Sequence, residues 1–515
     1  MRQFIKNGIV LLAAVALVGC QDLLVDNKNS PDRHRALSQP DAVELLVAST
    51  FQTFYNRSYR GTAGYIPSTM VGDESTNSNN TSGGRDISEI PRLPFNNNPV
   101  TANEAFARLY WGDFYEVLAN TTDVLKVING GLRIVTNEED NTERARMFSK
   151  LSQGMALGYI ALLYDRGFIM DENTPDEHLQ RPMDHLELLP YGQVMDKALS
   201  LLDEAEALAQ GQPDVSIPSD WMYSPSALEQ ADVLSMIHAY RARFQVLLPR
   251  SPQEREAVDW NAVLADIDQV TRDVEIEMQS GARNNHYFFY TQHPTTGRRL
   301  MAHVRLYGQA DTSGAYQDWV ATPPNERERF LVETPDRRLT GETPEEDGSR
   351  FAFNPTTNVD RIYGGHRESY YQFNGHGGEY QAGVFAQLPL KELRLYAAEA
   401  HYRLGQPELT AQIVNETRIA NGQLPPVTVD GVPEGAECVP RMEDGTCGSL
   451  WDAMVYERMM ELSYIEPTRT WLDRRGLGTL YPGSIVHLPL PASQLEILGI
   501  PLYTFGGVGN EGSAP

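Results

Sequence analysis

The chain has 515 residues and a formal net charge of −26 at pH 7, with 43 Lys and Arg against 69 Asp and Glu. So acidic a chain is a poor nucleic-acid binder, because phosphate binding needs clustered Lys and Arg. Hydrophobic residues make up 41% of the sequence and aromatic residues 9%, which excludes a largely disordered chain and predicts one large globular domain or a few smaller ones.

The first twenty residues have the pattern of a lipoprotein export signal. Arg2 and Lys6 supply positive charge, and the apolar run over residues 8–18 is too short to span a bilayer, which takes roughly 20 residues. Leu-Val-Gly then precedes Cys20, as in a lipobox that is cut before a cysteine which receives lipid on its thiol. We expect a signal peptide over residues 1–19. The alternative is a plain secretory signal in which Cys20 is incidental.

A lipid on Cys20 would anchor the chain to a membrane. Each buried CH₂ contributes roughly 0.8 kcal/mol, so one acyl chain holds weakly and two or more hold stably. No other segment reaches 18 consecutive apolar residues, so no other membrane-spanning segment is expected. Residues 20–39 are predicted to be a lipidated tether. Removal of Arg2 and Lys6 with the signal peptide would change the net charge from −26 to −28.

Helical periodicity recurs along most of the chain. Apolar residues at helical spacing predict helices over about 40–56, 103–129, 144–165, 190–209, 226–248, 259–278, 391–404, 408–421 and 449–465. Helix pairs of this length resemble tetratricopeptide repeats, although no clean consensus recurs. The predicted fold is therefore mainly α, with a packed scaffold of tetratricopeptide-like helix pairs.

Two of these helices have marked starts. Ser226 and Glu229 have the spacing of a capping box, in which serine accepts from an amide and glutamate reaches back. Asp259 is placed to cap the following helix, which is expected to continue through about Met278 with Val274 on its inner side.

Two long stretches lack this periodicity. Residues 57–102 are rich in Asn, Ser, Thr, Gly and Pro, and residues 280–388 combine loop signals with clusters of aromatic residues. A long irregular stretch inside a compact protein is usually functional or disordered. The aromatic residues favour a functional, loop-rich region over disorder.

Cys438 and Cys447 are the only cysteines besides Cys20. In an oxidising compartment a disulfide between them, closing a ten-residue loop, is the expected arrangement. The alternative is two free thiols. A zinc site is not favoured, since no histidine lies near the pair at ligand spacing, and no other metal or cofactor site is expected.

The last part of the chain carries a pattern of charged and aromatic residues. Its members are Glu457, Arg458, Glu461, Leu462, Glu466, Arg469, Trp471, Asp473, Arg474 and Arg475, followed by Leu488-Pro489-Leu490-Pro491. This pattern resembles the C-terminal signature of the SusD/RagB family, ERRxEL…E…RWxDLRR before xPIP. Residues 395–405 look like the family's penultimate helix. Residues 106–128, with Trp111 and Asn120, are similar to its early helix.

The resemblance implies a function as well as a fold. Family members are outward-facing outer-membrane lipoproteins that sit as lids on SusC/RagA-like TonB-dependent transporters and capture glycans, or sometimes peptides. They are not enzymes. The implied organisation is a single SusD-like domain over 40–515, with a helical scaffold over about 40–56, 103–279 and 389–475 and a loop-rich, ligand-binding region over about 57–102 and 280–388. The sequence departs from the family at its end, where residues 500–507 replace an Asn-Pro-Gly-Tyr-like segment. The Cys438–Cys447 loop is a further elaboration.

The aromatic residues of the loop-rich region are the candidate ligand contacts. A flat ring can stack on the apolar face of a sugar, and a phenol or amide can read its hydroxyls. On this basis Trp319, Tyr316 and Tyr290 are predicted to bind ligand, with Asn80 supplying an amide. The alternative is that the rings fill the interior beneath the loops and that Asn80 lies at a solvated loop tip.

The charged signature residues have the opposite interpretation. Glu457, Arg458, Glu461, Arg469, Asp473 and Arg475 alternate in sign at near-helical spacing, which predicts a structural salt-bridge network rather than a ligand site.

No catalytic motif accompanies this pattern. The sequence contains no G-x-S-x-G elbow, H-E-x-x-H helix or G-x-x-x-x-G-K loop. With 69 acidic residues, carboxylate pairs are inevitable and single out no glycosidase site. A binding protein is therefore favoured over a lipid-anchored glycosidase. The other open alternative is a lipid-anchored helical-repeat scaffold that binds only protein partners.

Overall fold

The computed structural model describes most of the chain from residue 33 onward, which includes the end of the predicted tether. The described residues are 33–58, 62–77, 83–136, 138–180, 185–278, 300–355, 369–373 and 383–512. Of the predicted site residues, Cys20, Asn80 and Tyr290 lie outside the described residues. Within the described ranges, no helix combines the length and the apolar character needed to cross a membrane.

Helices form most of the structure. In chain order they are α1 (Arg33–Leu37), α2 (Pro40–Ala48), α3 (Thr50–Ser58), α4 (Thr62–Val71), α5 (Gly84–Ser88), α6 (Ala102–Asn129), α7 (Thr142–Leu163), α8 (Asp176–Gln180), α9 (Tyr191–Gln210), α10 (Ser219–Met222), α11 (Gln230–Leu247), α12 (Pro252–Glu256), α13 (Trp260–Ile267), α14 (Val304–Tyr307), α15 (Ala315–Ala321), α16 (Leu390–Arg403), α17 (Pro407–Ala420), α18 (Leu450–Leu462), α19 (Arg469–Leu477) and α20 (Ala492–Leu498).

The strands are short and pair in twos. They are β1 (Ser75–Asn77), β2 (Val135–Thr136), β3 (Glu139–Asp140), β4 (Arg166–Gly167), β5 (Leu189–Pro190), β6 (Ser216–Ile217), β7 (Leu228–Glu229), β8 (Val274–Met278), β9 (Leu300–Ala302), β10 (Phe351–Phe353), β11 (Tyr371–Phe373) and β12 (Gly383–Leu388). The pairs are all antiparallel: β1 with β9, β2 with β3, β4 with β5, β6 with β7, β8 with β12 and β10 with β11.

The long helices pack one after another along the chain. α6 packs on α7, α7 on α9, α9 on α11, α11 on α13, α13 on α16, α16 on α17 and α17 on α18. α6 begins at a Thr101 cap, whose hydroxyl accepts from the amide of Glu104 at 3.3 Å. α7 lies inside the stack and is buried on nearly every side. Sequential packing of neighbouring helices is the arrangement of a helical-repeat scaffold, so the predicted mainly α fold is confirmed.

The predicted start of α11 is wrong by four residues. Leu228 and Glu229 are extended and pair with Ile217 and Ser216, so Ser226 does not begin a helix. Glu229 is the cap instead. Its carboxylate accepts from the backbone amide of Asp232, and the Asp232 carboxylate accepts from the Glu229 amide at 3.1 Å. A capping box is present, but it is formed by two acidic residues.

The predicted end of the next helix is also wrong. Asp259 does cap α13, accepting from the amides of Asn261 and Ala262 at 3.1 Å each. The helix, however, ends at Ile267, and residues 274–278 form strand β8 on β12. The sequence there is VEIEM, which alternates with period two, and Val274 and Ile276 are buried. Period two competes with the helical spacing, and it prevails once β12 supplies a partner.

The first irregular region is more ordered than its composition suggests. Among its described residues, the region 57–102 includes α4, β1 and α5, and an irregular stretch follows Ser88. The second region, by contrast, holds short elements: α14, α15 and the β10–β11 hairpin. These short elements have their own hydrophobic cluster, which we call the second cluster. It includes Tyr307, Tyr316, Trp319, Phe351 and Tyr371, while the scaffold helices share a separate and larger first cluster.

Part of the charged signature pairs with arginine and carboxylate groups from distant segments. Arg338 is fully buried and donates to Asp336 at 2.7 Å, to Glu457 at 2.7 Å and to Glu461 at 2.9 Å. Arg350 adds a second contact to Glu461 at 2.6 Å. These ion pairs join residues 336–350, which precede β10, to helix α18.

The rest of the signature forms a second buried group. Arg255 donates to Glu399 at 2.6 Å and to Asp473 at 2.8 Å. Arg458 reaches the same two carboxylates at 2.7 and 3.0 Å. All four side chains are fully buried. Arg475 differs from the prediction, because it donates to backbone carbonyls at the ends of α7 and α11 rather than to a carboxylate.

Cys438 and Cys447 are joined by a disulfide with an S–S distance of 2.06 Å and a Cα–Cα distance of 5.3 Å. The closed loop ends just before Ser449, which caps α18 by accepting from the amide of Asp452. The disulfide therefore fixes a loop at the start of the last long scaffold helix.

Candidate ligand-binding site

Helix α15 carries the two predicted ligand contacts that the structure describes. Its start is set by Asp311, whose carboxylate accepts from the amides of Gly314 and Tyr316 at 3.0 and 3.2 Å. Gly314 has φ +101°, a conformation that favours glycine. This turn directs the helix inward, so that Tyr316 packs directly on Gly308, where a Cβ would come within 2.2 Å of the tyrosine ring.

Both rings are buried. Tyr316 is 2% exposed and Trp319 is 6% exposed, and the two rings stack with their centroids 6.3 Å apart. Neither presents an open face to solvent in this conformation, which matches the alternative that they fill the interior beneath the loops. Ligand binding by Tyr316 and Trp319 stays a prediction.

An arginine covers the outer side of Trp319. The Arg327 guanidinium lies 4.2 Å from the centre of the indole ring and donates to the carbonyls of Val320 and Thr322. The indole Nε1 is buried without a hydrogen-bond partner among the described residues. A cation stacked on tryptophan is favourable by about 0.5–2 kcal/mol. The contact between Arg327 and Trp319 therefore stabilises the outer side of the second cluster.

A partly exposed aromatic pair packs against the second cluster, and one of its rings, Tyr370, belongs to the Tyr370-Tyr371 cluster of the loop-rich sequence. Phe353 and Tyr370 are half-buried, with ring centroids 5.7 Å apart, at the edge of the β10–β11 hairpin. Arg329 lies 4.1 Å from the centre of the Tyr370 ring. The hydroxyl of Tyr370 makes no hydrogen bond with any described residue. We call Phe353, Tyr370 and Arg329 the hairpin step.

The hairpin step has the properties of a saccharide contact. Its rings offer apolar surface, and its phenol offers a hydroxyl at the edge of that surface. The hairpin beneath it is well packed, because Phe351 and Phe373 are buried against each other with centroids 5.3 Å apart. Rings held on a packed hairpin lose little freedom when a ligand binds.

The disulfide loop supports the other side of α15. Gln317 donates to the carbonyl of Met442 at 2.8 Å, and Tyr316 donates to Glu443 at 3.3 Å. Arg441 donates to the carbonyl of Thr312 at 2.8 Å. The disulfide loop before α18 therefore also positions α15, the helix that carries the predicted ligand contacts.

A buried polar cluster lies beneath β1 and β9, close to Tyr316. Burial would raise the pKa of Asp73, but Arg92, His303 and Arg305 together hold it well below its usual value. Burial lowers the pKa of His303 to about 3, although Asp73 opposes this. Nδ1 of His303 accepts from the amide of Arg305 at 3.0 Å, as a neutral ring can. The cluster therefore holds one ionised carboxylate against three arginines, Arg92, Arg305 and Arg474, and a neutral histidine.

Glu74, next in the chain, is held differently. Burial raises its pKa to about 7, and the nearby Arg469 only partly offsets this. Its carboxylate accepts from the amide of Tyr464 at 2.7 Å and from the hydroxyl of Thr470 at 3.0 Å. These contacts connect β1 to α19 and identify Glu74 as a structural group.

A cleft elsewhere on the surface is a weaker candidate for a ligand-binding site than the hairpin step. It lies between α11 and β8, has a volume of about 350 Å³ including its part open to solvent, and is lined by Met222, Met236, Asp232, Arg272 and Glu275 among others. Its charges pair with each other, since Arg272 lies 3.0 Å from Asp232 and 3.5 Å from Glu275. Across the described ranges, no three His, Cys, Asp or Glu side chains are arranged to hold a metal ion.

Comparison with known proteins identifies the fold of this chain. No protein-family model matches the sequence, and no curated protein matches it. Solved structures do match. A SusD superfamily protein from Bacteroides vulgatus is 10% identical, with 90% of this chain and 97% of that chain covered and a TM-score of 0.54. The chain has the SusD-like fold.

Two further SusD-like structures agree over most of the chain. A SusD-like carbohydrate binding protein from Bacteroides fragilis is 13% identical, with 86% of this chain and 87% of that chain covered and a TM-score of 0.53. A SusD/RagB family protein from Bacteroides thetaiotaomicron is 12% identical, with 88% and 94% covered and a TM-score of 0.51. The resemblance noted in the sequence is thus matched by the SusD-like fold.

Proposed function

We propose that this SusD-like chain is an outward-facing outer-membrane lipoprotein that captures an oligosaccharide and delivers it to a SusC/RagA-like TonB-dependent transporter. The observation that carries the proposal is the hairpin step, an aromatic and arginine surface on the loop-rich side of a SusD-like fold. The carbohydrate-binding description of one structural neighbour supports a glycan as the ligand. The lipobox at Cys20 supports the anchor. A peptide is the second ligand class to be tested.

Tyr370→Ala is expected to weaken glycan binding about tenfold or more, because loss of one stacking ring at the centre of a small site removes 1–2 kcal/mol or more of binding free energy. The measurement is titration calorimetry of the ectodomain from residue 21 with a panel of plant, fungal and bacterial polysaccharides, their short oligosaccharides and mixed peptides. Tyr191→Ala is the matched control. Tyr191 is also a half-buried tyrosine beneath an arginine, Arg250 at 4.0 Å, but it lies on the scaffold.

Two results would contradict this site. Equal binding by the wild type and Tyr370→Ala would remove the hairpin step from the site. Binding of no glycan and no peptide by the wild type would instead favour the alternative of a scaffold that binds only protein partners.

Cys20→Ala is expected to release the protein from the membrane fraction, because the lipid on Cys20 is the proposed membrane anchor. The measurement is fractionation of cells that express the full chain, with protease treatment of intact cells to show whether the wild-type body faces outward. Co-purification of a TonB-dependent barrel with the wild type, and its loss with Cys20→Ala, would support delivery to a transporter. A Cys20→Ala protein that stays in the membrane fraction would contradict lipid anchoring.

A further inference from the structure

A second aromatic surface lies on the scaffold, away from the hairpin step. Tyr402, in the last turn of α16, is 38% exposed, and Trp451, in the first turn of α18, is half-buried beside it. Their ring centroids are 5.0 Å apart. Trp451 packs against the first hydrophobic cluster, whereas Phe353 and Tyr370 pack against the second. The two aromatic surfaces therefore belong to different parts of the molecule. We call Tyr402 and Trp451 the scaffold platform.

The scaffold platform is held rigidly from below. The guanidinium of Arg403 lies between two indole rings, 4.9 Å from the centre of Trp451 and 5.2 Å from the centre of Trp260. Glu399 fixes this guanidinium by accepting from its Nε at 2.9 Å. Glu399 is fully buried and belongs to the ion group of Arg255 and Arg458. Because the arginine is fixed, the ring stacked on it needs no reorganisation when a ligand arrives.

The edges of the scaffold platform carry free polar groups. Among the described residues, neither the hydroxyl of Tyr402 nor the indole Nε1 of Trp451 has a hydrogen-bond partner, and neither atom is enclosed. The neighbouring residues His401, Arg403 and Asp452 are polar or charged. A protein partner usually needs a contiguous apolar area of several hundred Å², and two partly exposed rings with polar edges provide far less. Such a surface instead matches a sugar ring, which has an apolar face and a polar rim.

From this geometry we propose that Tyr402 and Trp451 form a second saccharide-binding site, which holds a distant part of the same polysaccharide chain. The proposal rests on the proposed function in that the ligand is a glycan. Because the two rings are tilted by 50° to each other, a sugar would stack on one ring and contact the edge of the other. Together with hydrogen bonds from the phenol and the indole, these contacts would give weak binding alone. Linked through the polymer to the hairpin step, even a weak site raises the affinity, because the second binding event is intramolecular.

The test compares a polysaccharide with its short oligosaccharide. The probes are the polysaccharide that the wild-type ectodomain binds best in the panel and an oligosaccharide of the same sugar too short to reach both surfaces. Tyr402→Ala and Trp451→Ala are expected to weaken binding of the polysaccharide at least fivefold and to leave binding of the oligosaccharide at the hairpin step unchanged. Tyr370→Ala is expected to weaken binding of both probes.

Ile419→Ala provides the matched control. Ile419 is 49% exposed on the neighbouring helix α17 and lies on no aromatic surface, so its loss should change neither affinity. Tyr402→Ala keeps the test valid if Trp451→Ala unfolds, because the Tyr402 side chain is the more exposed of the two. Thermal unfolding of each variant checks its folding.

Each outcome separates the two proposals. Wild-type affinity of both platform variants for the polysaccharide, with weakened binding by Tyr370→Ala, overturns the second site and leaves the proposed function intact. Binding of no glycan by the wild type overturns both. A change in oligomeric state of the platform variants, measured by analytical ultracentrifugation, would assign the scaffold platform to contact between copies of the chain and would overturn the saccharide site.

Discussion

Replacing Arg338 with leucine should lower the free energy of unfolding by about 3–5 kcal/mol, because removal of one partner from a buried ion group leaves the others uncompensated. Arg338 is fully buried, and its two Nη atoms donate to Asp336, Glu457 and Glu461 over 2.7–2.9 Å. Without the guanidinium, Arg350 would compensate Glu461, and Asp336 and Glu457 would lack a cation in contact. The measurement is urea unfolding followed by circular dichroism.

The neighbouring residue supplies the control for this experiment. Arg337 pairs with Glu342 at 3.4 Å and donates to the carbonyl of Gly341, and the Arg337 and Glu342 side chains are 27% and 85% exposed. A solvent-exposed pair contributes only about 0–1 kcal/mol, so Arg337→Leu should lower the free energy of unfolding by less than about 1 kcal/mol. Similar losses for the two variants would show that the buried group does not stabilise the junction of the loop-rich region with α18.

The charges of the C-terminal signature show which structural facts a sequence carries and which it does not. Their alternation predicted a structural ion network, and the carboxylates of Glu457, Glu461 and Asp473 are indeed paired. Their principal partners, Arg338 and Arg255, lie more than 100 residues earlier in the chain. Helical spacing reports only neighbours within about one turn, so the sequence could not name these partners or show that the network is buried.

Periodicity predicted the long helices well and the short elements poorly. α6, α9, α16 and α17 begin and end within about two residues of their predicted limits. Each repeats its apolar face over several turns, and a long repeat leaves little ambiguity. Strand β8 has only five residues, and its identity depends on β12, which follows it by more than 100 residues in the chain.

The candidate ligand contacts show the same limit. Composition directed attention to the aromatic residues of the loop-rich region, but it could not separate buried rings from exposed ones. Tyr316 and Trp319 face inward because Asp311 and Gly314 set the direction of α15. Tyr370 stays half-exposed because it precedes β11, whose first residue already faces the second cluster. Such orientation follows from turn geometry and packing, which residue type alone does not determine.

Glu74→Gln should stabilise the protein at pH 8 by up to about 3 kcal/mol and change its stability little at pH 5. Burial raises the pKa of Glu74 from its ordinary value of 4.5 to about 7 in the folded protein. The folded state therefore binds this proton more tightly than the unfolded state. Stability falls as the pH rises from about 4.5 to 7, and above that range the buried charge costs its full free energy, at about 1.4 kcal/mol per pKa unit. Glutamine carries no charge, and its amide oxygen can still accept from Tyr464 and Thr470.

The adjacent carboxylate gives the control of opposite sign. Arg92, His303 and Arg305 hold the pKa of Asp73 below its ordinary value despite burial, so its charge stabilises the fold above the unfolded pKa and this stabilisation is lost only as the pH falls. Asp73→Asn should therefore destabilise the protein at pH 8, where Glu74→Gln stabilises it. The measurement is the free energy of unfolding of each variant minus that of the wild type, at intervals from pH 5 to pH 8. A difference for Glu74→Gln that stays constant over this range would contradict the raised pKa. A fall in stability at pH 8 for both variants would mean that Glu74 is held ionised by Arg469, and that β1 and α19 are joined by a charge pair rather than by a carboxyl group that is protonated below neutral pH.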